Sequence, residues 1–62
     1  MIEQLLKEIR RASEALLTDG ALQSERGNKA AGTRARKASL ELERLTKMFR
    51  KASLEETKAK KQ

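Results

Sequence analysis

Ala35, Ala38, Leu42, Leu45, Phe49 and Ala52 follow one another at spacings of three and four residues, in a chain that has no proline to interrupt them. That rhythm is helical: residues three and four apart share one face, whereas a half-buried strand needs strict alternation. It commits the second half of the sequence to one long helix, from about Lys29 to Ala59, whose apolar seam also takes in Ala31. Small side chains lead the seam and larger ones follow. A partner helix is therefore expected to come closest at the N-terminal end.

A shorter pattern precedes it. Ile2, Leu5, Leu6, Ile9, Ala12, Ser13 and Leu16 predict an amphipathic helix from Ile2 to about Thr18, with Leu17 widening the stripe. Asp19-Gly20 reads as a stop, with Ala21 to Arg26 as a possible helical extension. Gly27-Asn28 supplies a helix end followed by an N-cap, and Gly32-Thr33 offers the same two roles. The turn is expected near Gly27-Asn28. Residues 1–62 then form a single all-α domain, a two-helix antiparallel hairpin. Leu5, Ile9, Leu16, Leu42, Leu45 and Phe49 are its expected core or dimer packing.

Composition narrows what can hold such a hairpin together. A chain of 62 residues falls below the size at which one core suffices, and it has neither Cys nor His for a disulfide or a zinc site. Oligomerisation remains, and Leu40, Met48 and Leu54, which lie off the seam, suggest a second packing surface. A homodimer forming a four-helix bundle is the expectation. The same inventory argues against an enzyme. It lacks His, Cys and Tyr for acid–base or nucleophilic work and has no glycine-rich phosphate loop. No cofactor, metal or small-molecule substrate is implied. No apolar run approaches membrane-spanning length and no signal-peptide core is present, so a soluble cytoplasmic protein is expected, with no membrane partner.

The net charge of +6 is unevenly placed. Residues 1–25 carry three cations against five acids, a balance of −2; residues 26–62 carry twelve against four, a balance of +8. The string RKASLE occurs at Arg36–Glu41 and again at Arg50–Glu55, fourteen residues or two heptads apart. On one helix the copies face the same way, and the repeat doubles a cationic stripe. Lys37, Arg44, Lys51 and Lys58 form a line spaced by seven, about 140–180° from the seam. Arg36, Lys47 and Arg50 flank that line. Ser39 and Ser53 lean toward the seam as small inward-facing residues, and Glu43 is the expected partner of Lys47.

The ordinary alternative for a charged face is solvated surface. Such a face mixes signs, as the first helix does, whereas this one gathers cations and sets most acids beside them. The pattern points to a polyanion, with duplex DNA first, contacted through phosphates without base stacking, since the single aromatic lies in the seam. An acidic protein partner and RNA are the alternatives.

Beyond its charge, the run Ser24 to Lys58 resembles the chlamydial histone-like proteins, linker-histone-like nucleoid proteins with short relatives in other bacteria. The matching residues are Gly27-Asn28-Lys29-Ala30-Ala31, Arg34, Arg36, Ser39, Leu42-Glu43-Arg44, Lys47, Phe49-Arg50-Lys51 and Ser53. Residues 1–23 match only in helical character. The resemblance implies non-sequence-specific DNA binding and chromosome compaction in the nucleoid. It carries a DNA-binding role to Lys29, Arg34, Arg36, Arg44, Lys47, Arg50 and Lys51, while Lys37 and Lys58 rest on the charge pattern. The chlamydial proteins continue into a long Lys- and Ala-rich tail. Here only Lys58, Lys60 and Lys61 stand in its place, which shifts the expected burden of DNA contact to the helical stripe.

Overall fold

The computed structural model describes residues 1–59, which form two helices packed side by side as a hairpin: α1, Ile2–Arg26, and α2, Lys29–Ala59. Lys60 and Lys61 lie outside the described residues. The hairpin is a rod of 53 × 14 × 13 Å.

Gly27 ends α1. Its backbone is left-handed, with φ 64° and ψ 27°, and its N–H donates to the Gln23 carbonyl at 2.9 Å. Glycine reaches that region without the Cβ clash that other residues suffer. Asn28 then caps α2, its Oδ1 accepting from the Ala31 N–H at 2.9 Å. This satisfies one of the donors that every helix N-terminus leaves without an intrahelical partner.

The stop expected at Asp19-Gly20 does not occur. A glycine inside a helix costs only about 1 kcal/mol relative to alanine, and it ends the helix only if the backbone turns left-handed. Gly27 is the sole residue with positive φ among those described, so Gly20 stays helical. Contacts with α2 hold the segment in place. The Asp19 carboxylate accepts from Arg34 Nε at 3.2 Å and Nη2 at 3.1 Å, and Gln23 lies over Gly32. A Cβ at Gly32 would stand 2.6 Å from the Gln23 side chain, so the helices approach closely at this end.

The core is thin. Leu5, Ala12, Leu45 and Ala52 form its buried cluster, bordered by half-buried Ile2, Ile9 and Leu42. Leu45, 1% exposed, is the largest fully buried side chain. Toward the turn the seam continues with buried Ala31, Gly32 and Ala35. Leu16 and Phe49 are half-buried, as Ile9 and Leu42 are. Ser39 is exposed and does not turn into the seam, whereas Ser53 is half-buried.

Candidate nucleic-acid interface

α2 presents its seam to α1, with Thr46 and Ser53 half-buried beside it, and most other side chains to solvent. Lys29, Arg34, Arg36, Lys37, Arg44, Lys47, Arg50, Lys51 and Lys58 are all exposed along it. Counted in heptads against the seam, most of them fall into three parallel columns. Leu40, Lys47 and Leu54 form the central column, diametrically opposite the seam. Arg36, Glu43 and Arg50 run along one side of it and Lys37, Arg44, Lys51 and Lys58 along the other, each about 130° from the seam's centre when a heptad is counted as two full turns. The line of four is therefore a flank of the outer face, not its middle. Glu43 is the one acid within the three columns.

At the flank, cations meet α1. One cleft between the helices brings Arg34, Lys37 and Glu41 of α2 against Glu8, Arg11 and Asp19 of α1. Its three cations are balanced by three carboxylates. A phosphate entering there would meet like charge as often as opposite charge, so this cleft is poorly suited to an anion. Arg34 is already held by Asp19. A second cleft at the open end places Lys51 and Glu55 beside Gln4, Glu8 and Met48.

On the outer face, Arg44 pairs with Glu41 at 3.1 Å, both side chains half exposed or more. This is the ion pair observed there, in place of the expected Glu43–Lys47 pair. Exposed pairs of this kind contribute at most about 1 kcal/mol, so the guanidinium is readily exchanged to another anion. Lys29, Lys47, Arg50, Lys51 and Lys58 form no ion pair among the described residues. Arg36 donates to the Thr33 hydroxyl at 3.4 Å. Arg11 belongs to no charged pattern of its own helix and enters the balanced cleft only through the fold. Its place depends on the register between helices, which spacing within one helix does not encode. No group of residues suited to holding a metal occurs among the described residues. Nor is any described helix long and apolar enough to cross a membrane.

The model of one protein family, described as histone H1-like protein Hc1, matches residues 3–59. This chain belongs to that family. The match takes in both helices of the hairpin, so the Hc1 likeness extends through α1, where the sequence resemblance rested on helical character alone. The Hc1 pattern thus covers the seam, the turn and the outer columns as one unit. No match was found among curated proteins or among solved structures.

Proposed function

We propose that this protein binds duplex DNA without regard to sequence and helps organise the nucleoid in the cytoplasm, contacting phosphates through the outer columns of α2. One observation carries the reading: Arg36, Lys37, Arg44, Lys47, Arg50, Lys51 and Lys58 lie exposed along three adjacent columns of α2 within which Glu43 is the single acid, with Glu41 and Glu55 at their edge. Each cation that meets a phosphate releases condensed counterions, a gain that depends on charge spacing and not on base identity. At 31 residues α2 is about 46 Å long, enough to accompany the duplex beyond one turn. Membership of a family described as histone H1-like supports the same ligand. Phe49 lies in the seam, half-buried and away from the outer columns, so base stacking has no platform on this face. Arg34 and Lys37, within reach of the balanced cleft, contribute less than the rest.

A homodimer completes the proposal. The hairpin exposes 5217 Å², against roughly 4,000 Å² for a compact monomer of 7.0 kDa. Leu6 and Leu17 stand exposed on α1, on the flank where Ile9 is only half-buried. A second copy packed there covers this apolar strip and doubles the cationic surface.

Fluorescence anisotropy with one AT-rich and one GC-rich duplex, titrated between about 50 and 300 mM salt, tests the reading. Similar affinities that fall steeply with salt are expected. Absence of binding at low salt, or tighter binding to an acidic protein than to DNA at equal salt, would overturn it.

A further inference from the structure

Two leucines sit in the middle of the cationic face. Leu40 and Leu54 occupy the same position of the two RKASLE copies, fourteen residues apart, and are 68% and 65% exposed. At 1.5 Å per residue they stand about 21 Å apart along α2, with Lys47 midway between them. A single exposed leucine is commonplace. Two at equivalent positions, both diametrically opposite the seam and ringed by Arg36, Arg44, Arg50 and Lys51, are not scattered in that way.

Of the other exposed apolar side chains, Leu17 stands on α1, away from the cationic face, and three more line clefts. Met1 and Met48 line the cleft at the open end of the hairpin, and Leu6 borders another with Lys7 and Arg10. Leu40 and Leu54 line none of these clefts.

We propose that Leu40 and Leu54 are DNA-contacting residues that press on the floor of a groove while the flanking cations hold its walls. The inference rests on the DNA-binding reading above and adds an apolar component to it. Its geometry follows from the columns. The major groove is about 12 Å wide and admits a helix. If Arg36 and Arg50 reach phosphates on one wall and Arg44 and Lys51 reach the other, the central column points at base edges and sugars. Leu40 and Leu54 then lose water against C–H surface, and Lys47 lies between them.

Phosphate contacts and apolar contacts leave different signatures. Counterion release makes the logarithm of affinity fall linearly with the logarithm of salt concentration, with a slope set by the number of phosphates neutralised. Burying apolar surface shifts that line without tilting it.

The experiment compares the full chain with its Leu40→Gln/Leu54→Gln variant on the two duplexes across the same salt range. Circular dichroism confirms the helices, and sedimentation velocity gives the oligomeric state. Expected is binding weaker by about tenfold at every salt concentration, with an unchanged slope and unchanged oligomeric state. The Leu40→Ala/Leu54→Ala variant, built from the strongest helix former, should move the same way and guards against a folding defect. Unchanged affinity would overturn the proposal. So would an altered slope, or a loss that accompanies dissociation of the protein, which would assign the leucines to a second copy. Failure of the wild type to bind either duplex would remove the DNA-binding reading itself, a distinct result from intact binding that ignores the leucines.

Discussion

Gly27 and Gly20 show how one residue type takes opposite roles along one chain. Gly27 has φ 64°, a conformation that costs an L-residue roughly 1–2 kcal/mol. Gly27→Ala should destabilise the hairpin by about that much. Gly20 is helical and has open space where a Cβ would go, so Gly20→Ala should stabilise it by about 0.5–1 kcal/mol. Thermal unfolding followed by circular dichroism reads both. A stabilising Gly27→Ala or a destabilising Gly20→Ala would contradict the assigned backbone. Nothing in the local sequence distinguishes the two positions decisively. Asp-Gly and Gly-Asn both resemble helix ends, and the choice is made by what lies across the hairpin, where Arg34 holds Asp19. Ser39 shows the same dependence on the partner helix. It is exposed, whereas Thr46 and Ser53, seven and fourteen residues further on, are half-buried, so heptad position alone does not decide which of the three α1 covers.

At the scale of the element, α2 was legible because its two periodicities agree. The seam and the outer columns both repeat every seven residues, so the apolar face and the cationic face can be assigned from spacing alone. What spacing could not supply is how α1 lies against them. Arg11 joins Arg34 and Lys37 beside Glu8, Asp19 and Glu41 only once the hairpin has closed, and that closure turns part of the apparent stripe into a balanced cleft. The Asn28 cap belongs to this scale as well. Asn28→Ala removes the acceptor of the Ala31 N–H and should cost about 1 kcal/mol, with fraying confined to the first turn of α2. Amide exchange at Ala31 checks this; unchanged protection there would contradict the cap's role.

The whole molecule is a thin rod with more surface than its mass warrants and a core in which, among the described residues, Leu45 is the largest fully buried side chain. If the proposed dimer supplies the missing burial, the melting temperature should rise with protein concentration, because association stabilises only the folded chain. Leu6→Gln/Leu17→Gln should abolish that dependence. A concentration-independent melt in the unaltered protein would count against the dimer. Charge is arranged on this scale too: a neutral cleft on one flank and a cationic outer face turned away from α1. Net charge alone does not distinguish these surfaces, but matched substitutions do. The decisive measurement compares Arg36→Gln/Lys47→Gln/Arg50→Gln with Arg11→Gln/Arg34→Gln/Lys37→Gln, two variants that each lose three positive charges. Duplex affinity is followed as a function of salt. Phosphate binding by the outer face predicts that the first variant shallows the salt slope by about 2–3, while the second changes it by less than about 1. Equal losses in the two variants would mean that net charge and not this face binds DNA, and a larger loss in the second would place the contact in the cleft.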